Sequence, residues 1–238
     1  MPPLGRPQTS LLRHVPRLRG PGRILLLISA LLLAAGTVAT PASAAGQVRI
    51  YPGMAIKTSG QVCSVGLLGH IGDVKYAITA GHCFEAGAQV RDEDGRRIGA
   101  YEQGVPDGDV DNLGFAMVRL ADNVVVSAKT DEVAIAAVDS DPAVGQRVCK
   151  EGTRTGTTCG TISNIADTHM RTTFTVDHGD SGGIVYSPTS YGMGLFVGIV
   201  VGTGADFTLV QPAVRLGDMI RRRGPDGSDD FRWYVAPK

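Results

Sequence analysis

The feature that most limits what this chain can fold into is a succession of short apolar runs, many rich in Val and Ile, each closed off by Gly, Asp, Asn or Pro. Such runs occupy 61–68, 75–79, 97–101, 113–120, 132–138, 157–165, 171–176, 183–186, 194–202 and 206–211. β-branched residues in short segments bounded by turn formers favour strands over helices. Asp94-Gly95, inside Glu93-Asp94-Gly95-Arg96, supplies a hairpin signal between two of these stretches. A helical pattern emerges only at 213–220, and residues 221–230 read as a polar tail with little core. Without strands alternating with long helices, a parallel α/β sheet is disfavoured. No repeat of 20 to 50 residues is visible, so solenoids and propellers are excluded. The expected class is all-β, an antiparallel barrel or sandwich with a short C-terminal helix.

The first 44 residues differ from the rest. They hold five arginines (Arg6, Arg13, Arg17, Arg19, Arg23) and no acid, then an apolar run from Ile24 to Ala35, then Ala42-Ser43-Ala44. This order matches a signal peptide with an A-x-A cleavage site, and its 12-residue run is shorter than the roughly 20 residues a spanning helix needs. Residues 1–44 are therefore expected to be removed, leaving a mature domain at 45–238 outside the cytoplasm with no stable membrane insertion. Of 23 basic residues, 18 remain in that domain against 23 acidic ones, a formal charge of −5. A nucleic-acid partner is not expected for such a chain.

In an oxidising compartment, Cys63, Cys83, Cys149 and Cys159 read as disulfide partners with three possible pairings. Cys63 with Cys83 and Cys149 with Cys159 is the favoured arrangement, each closing a short local loop. The absence of a C-x-x-C pair speaks against a structural zinc site.

Chemistry concentrates in two segments. Gly179-Asp180-Ser181-Gly182-Gly183 flanks a serine with glycines, which expose the hydroxyl and let successive N–H groups turn toward a developing oxyanion. Thr79-Ala80-Gly81-His82-Cys83 puts a histidine at the end of an apolar strand, beside a cysteine able to anchor it. Imidazole titrates near neutrality and can take and return the serine proton. The serine segment also fits the G-x-S-x-G elbow of α/β-hydrolases, but there the histidine follows the serine. Here His70, His82, His169 and His178 all precede Ser181. The subtilisin order puts an aspartate before the histidine on an α/β fold; Asp73 is the only aspartate of the mature chain before His82, and this alternative does not fit both order and fold class.

These two motifs, about 100 residues apart, resemble those of the chymotrypsin-like serine proteases, in particular the bacterial secreted streptogrisin and α-lytic branch. The likeness extends through Ala55-Ile56, Cys63-Ser64-Val65-Gly66, Val148-Cys149, Cys159-Gly160-Thr161-Ile162 and Gln211-Pro212. It implies two six-stranded antiparallel barrels with the site between them, the cysteine pairing given above, and an oxyanion hole from the N–H groups of Gly179 and Ser181.

The third triad member departs from the family pattern. Gly114 stands where an aspartate should open Gly114-Phe115-Ala116-Met117-Val118-Arg119-Leu120. Asp111 is expected to reach His82 through a local shift or bulge, with Asp109 as alternative; otherwise both are solvated acids of the loop 105–112. The substrate-binding strand also lacks its usual serine, reading Gly198-Ile199-Val200-Val201-Gly202. Thr175 is expected near the base of the specificity pocket, close to Asp177 and His178, and no preference is assigned. The short distance from Ala45 to His82 leaves no room for a large pro-segment.

The leading expectation is a secreted, monomeric serine endopeptidase acting on peptides or proteins through an acyl-enzyme. Its site would be Ser181, His82 and Asp111, with Gly179 and Ser181 as oxyanion donors, and this chemistry needs no metal or organic cofactor. The rival, motivated by Gly114 and Val201, is a degenerate protease fold serving as a secreted binding module.

Overall fold

The computed structural model describes residues 47–237; the expected signal peptide and its cleavage site lie outside the described residues. Strands dominate. The first half contains β1 (Val48–Ile50), β2 (Ala55–Lys57), β3 (Val62–Ser64), β4 (Leu68–Ile71), β5 (Val74–Thr79), β6 (Gln89–Arg91), β7 (Arg97–Val105) and β8 (Phe115–Leu120). After β9 (Val124–Val126), the second half contains β10 (Ala134–Val138), β11 (Arg147–Gly152), β12 (Gly156–Ile165), β13 (Met170–Thr172), β14 (Ile184–Pro188), β15 (Met193–Thr203) and β16 (Thr208–Pro212). Helix α1 (Ala213–Arg223) and the two-residue β17 (Arg232–Trp233) complete the chain.

In the second lobe, β15, β14, β11, β12, β13 and β16 follow one another, and pairing of β15 with β16 closes them into a six-stranded barrel. β10 joins outside, parallel to β15. The first lobe is an antiparallel sheet ordered β17-β4-β5-β8-β7-β6-β2-β3, with β3 and β17 at its edges. The chymotrypsin-like double-barrel architecture is present, although only the second lobe closes its hydrogen-bond ladder.

Central strands are dry on both faces, which explains why they read as continuous apolar runs. Along β8, Ala116 and Val118 enter the first-lobe core, while Phe115 and Met117 enter a second core between the lobes. β14 repeats the alternation, with Ile184 and Tyr186 in that shared core and Val185 in the second barrel. Each buried Val, Ile, Phe or Met among them contributes roughly 1.5–3 kcal/mol by leaving water, so the shared core fixes one lobe against the other.

Helix α1 contributes Leu216, Met219 and Ile220 to the shared core, and its last-turn Arg221, Arg222 and Arg223 suit the negative end of the helix dipole. The helix therefore runs three residues beyond the expected 220. Within the expected polar tail at 221–230 only Ser228 is buried, whereas Phe231, just beyond it, is fully buried and packs edge-on to Trp233 at 4.9 Å. The Asp-Gly turn is found between β6 and β7, where Gly95 takes φ +81°, a conformation that favours glycine. Disulfides join Cys63 to Cys83 and Cys149 to Cys159. Among the described residues, no helix is long and apolar enough to cross a membrane.

Candidate active site

β5 delivers His82. Its last residue, Thr79, is buried and donates from Oγ1 to the Ser64 carbonyl at 2.8 Å. The chain then makes a single 3-10 turn over Gly81–Cys83, and the disulfide from Cys83 ties that turn to β3. Gly81 is required by crowding: a Cβ there would lie 2.4 Å from the Val105 carbonyl oxygen and 2.6 Å from Asp107 Oδ1. Cys63, His82 and Cys83 lie close together, but the two sulfurs are consumed by their disulfide and offer no thiolate to a metal.

The carboxylate beside His82 belongs to Asp107. Its Oδ2 accepts from His82 Nδ1 at 2.6 Å and from the His82 backbone N–H at 3.0 Å, while Oδ1 accepts from the Gly114 N–H at 2.6 Å. Burial alone would raise its pKa; the bonds from His82 and Gly114 outweigh this and hold the carboxyl below its ordinary value. Bonded this way, Nδ1 keeps its proton and Nε2 is left as the acceptor.

This geometry corrects the expectation for Asp111. That side chain sits at the exposed loop tip, where Oδ1 accepts from Thr168 Oγ1 at 3.0 Å and lies 4.0 Å from His169 Nδ1. Asp109 turns inward on its own loop, accepting from the Asp111 N–H and Asn112 Nδ2. Asp107 prevails because β7 runs on to Val105 and carries Pro106-Asp107 directly past the start of β8. A Cβ on residue 114 would lie 1.8 Å from the Val105 carbonyl oxygen. The glycine that seemed to delete the family carboxylate makes room for the segment that brings another. Sequence reasoning missed Asp107 by searching only the end of the loop nearest Gly114; the signal was Pro106-Asp107 immediately after a strand.

Ser181 lies on a heavily braced loop. The loop residues Gly179 and Gly182 have φ +107° and +82°. A Cβ on Gly182 would fall 1.9 Å from Thr79 Oγ1, so serine loop and histidine strand pack together without side chains between them. Ser64 bridges the lobes: its N–H donates to the Ser181 carbonyl and its Oγ to the Gly179 carbonyl, both at 2.8 Å, while Oγ accepts the Thr153 N–H. The N–H groups of Gly179 and Ser181 donate to no other group among the described residues.

Beneath the loop, Asp180 is fully buried. Its carboxylate accepts from Thr155 Oγ1 at 2.6 Å, the Arg154 N–H at 2.8 Å and the Asp177 N–H at 3.0 Å, and pairs with buried Lys150 Nζ at 3.2 Å. Burial pushes the Lys150 ammonium down, opposed by Asp180; burial would raise Asp180, but its hydrogen bonds leave it lowered. Sequence reasoning did not single out Lys150.

His82 and Ser181 line the same two clefts. One, of about 520 Å³, runs past Lys57, Gln61, Arg154 and His178. The other, of about 300 Å³, is walled by Val176, Val200, Val201 and Gly202. Thr175 is exposed and absent from this lining, so Val176 takes the place expected for it. Val200 is buried in the second barrel and offers no hydroxyl to the His82–Asp107 pair, whose support comes from the Gly114 N–H.

No family model matches the chain. An uncharacterized protein of Mycobacterium tuberculosis, MT1863, is 36% identical over 191 residues, covering 71% of this chain and 80% of the relative, and a second strain's Rv1815 matches equally. Among solved structures, Thermobifida fusca protease A superposes with TM-score 0.63 at 22% identity, over 79% of this chain and all of that one. Nocardiopsis protease gives 0.63 at 24%, and Cellulomonas bogoriensis chymotrypsin 0.61 at 23%, with the same coverage. Sequence thus joins this chain to the mycobacterial proteins, and backbone geometry joins it to the proteases: it belongs to the MT1863 family, built on the bacterial chymotrypsin-like serine-protease fold.

Proposed function

We propose that the protein is a secreted serine endopeptidase with Ser181, His82 and Asp107 as its triad. The observation that carries this reading is the 2.6 Å bond from His82 Nδ1 to a carboxylate only 10% exposed, with Ser181 in the same cleft. Ser181 Oγ attacks the scissile carbonyl carbon as His82 Nε2 takes its proton, and the oxyanion is received by the N–H groups of Gly179 and Ser181. Collapse returns that proton to the leaving amine and leaves an acyl-enzyme, which water resolves by the same steps. Asp107 fixes the imidazole tautomer and stabilises the imidazolium without taking its proton. The two disulfides and the N-terminal leader pattern support an extracellular location.

Intact mass after exposure to a fluorophosphonate tests the proposal. One adduct per chain, absent from Ser181→Ala, is expected. A folded parent that takes no adduct would overturn it and favour the binding-module reading.

A further inference from the structure

Glu151, the penultimate residue of β11, is 5% exposed. Its Oε1 accepts the Asp131 N–H at 3.1 Å, but Oε2 is buried with no hydrogen-bond partner among the described residues. An orphaned buried acceptor is costly, and an ionised one far more so unless a positive charge meets it.

The side chain borders a hollow of about 550 Å³ that also receives Glu93, Asp131 and Glu132. Four carboxylates share this lining with no Lys, Arg or His. Arg49 and Lys129 border an adjoining hollow with Asp131, but neither pairs with it among the described residues. Gly53, with φ +90°, lets the backbone close over Glu151: a Cβ there would lie 2.8 Å from Glu151 Cγ.

We propose that this hollow binds a divalent cation of the calcium class, with Glu151 as its buried ligand and Asp131, Glu132 and Glu93 completing an oxygen-rich shell with water. Calcium accepts six to eight oxygens in adaptable geometry, which suits carboxylates from separate segments better than the strict octahedron of magnesium. Those segments are the β6–β7 hairpin, the connection between the lobes and β11, so the ion ties first lobe to second. The site is structural and distinct from the reaction chemistry, for which the sequence implies no metal. It still adjoins the active site: Gly152 and Thr153 follow Glu151, and the Thr153 N–H donates to Ser64 Oγ at 2.8 Å.

The test titrates calcium chloride into EDTA-treated protein by calorimetry, with thermal unfolding in parallel. One site per chain is expected, with Tm raised by about 5 °C or more at roughly 100 times Kd. Glu151→Gln keeps an oxygen for the Asp131 N–H and weakens binding about tenfold or more if a carboxylate ligand is lost. Asp131→Asn alters an exposed side chain, is expected to shift affinity the same way, and carries the test if Glu151→Gln fails to fold. No heat and no Tm shift up to about 10 mM calcium, well above the weakest extracellular sites, overturns the proposal, as does unchanged affinity in the variants that fold.

Discussion

Replacing Asp107 by Asn preserves shape and removes what the site requires. The carboxylate meets three N–H donors: His82 Nδ1 at 2.6 Å, the His82 backbone at 3.0 Å and the Gly114 backbone at 2.6 Å. An amide has one oxygen. If that oxygen faces Gly114, the NH₂ faces Nδ1, and the imidazole relieves the conflict by moving its proton to Nε2, where it can no longer accept from Ser181. If the oxygen faces His82, the NH₂ confronts the Gly114 N–H in a place only 10% exposed, where water gives little relief. Turnover is expected to fall about 10⁴-fold, roughly 5.4 kcal/mol of barrier, as for the corresponding change in a Ser–His–Asp hydrolase. Asp111→Asn, at a side chain 71% exposed, should stay within about threefold, as surface changes do. Fluorophosphonate labelling rate and ester hydrolysis measure both. Asp107→Asn within tenfold of the parent, or Asp111→Asn as slow as Asp107→Asn, would refute the reasoning. Stability gives an independent readout. Because the folded-state pKa of Asp107 is lowered, its stabilisation is present above the unfolded carboxylate value near ~3.9 and lost as pH falls through the folded value. The stability gap between parent and Asp107→Asn should therefore narrow as pH drops below about 4.

Two further changes probe the loop and the cleft. Lys150→Met strips a buried carboxylate of its cation and should cost about 3–5 kcal/mol, read as a Tm lowered by at least about 6 °C, with slower labelling because Asp180 adjoins Ser181. Gly202→Phe projects into a cleft where a Cβ meets nothing within 4 Å; stability should hold within about 0.5 kcal/mol, while peptide hydrolysis falls about tenfold or more through KM, a loss of about 1.4 kcal/mol of binding.

Strand-bearing segments were legible because their physics is local. The runs at 75–79, 157–165 and 194–202 coincide closely with β5, β12 and β15, since β-branched residues between turn formers need no distant partner to declare themselves. β2 and β6, three residues each, carry too little pattern and form only because a neighbour offers a free edge. The tail at 221–230 looked polar, yet Phe231 beyond it is drawn into the shared core and Ser228 Oγ donates to the Arg221 carbonyl at 3.2 Å. His82 and Ser181 stood out by the residues around them. Asp107 did not, because its role depends on where the end of β7 passes in space, and a single sequence records that crossing only through the smallness of Gly81 and Gly114.

That crossing predicts how the site would respond to a family-like repair. Moving the acid back to the strand, as Asp107→Asn with Gly114→Asp, restores the family pattern on paper. The Cβ of residue 114 would still fall 1.8 Å from the Val105 carbonyl oxygen and 2.6 Å from that of Pro106, backbone atoms that cannot rotate aside. The new carboxylate gains its position only if the segment at 105–107 withdraws, and with it goes the packing against Gly81 that holds the His82 turn. The double variant is expected to be no faster than Asp107→Asn alone, and less stable by roughly 1–3 kcal/mol, the range for overpacking a tight site. Rescue of labelling to within tenfold of the parent would mean that the segment yields easily, and that Gly114 is an incidental loss instead of a condition for Asp107 to reach His82.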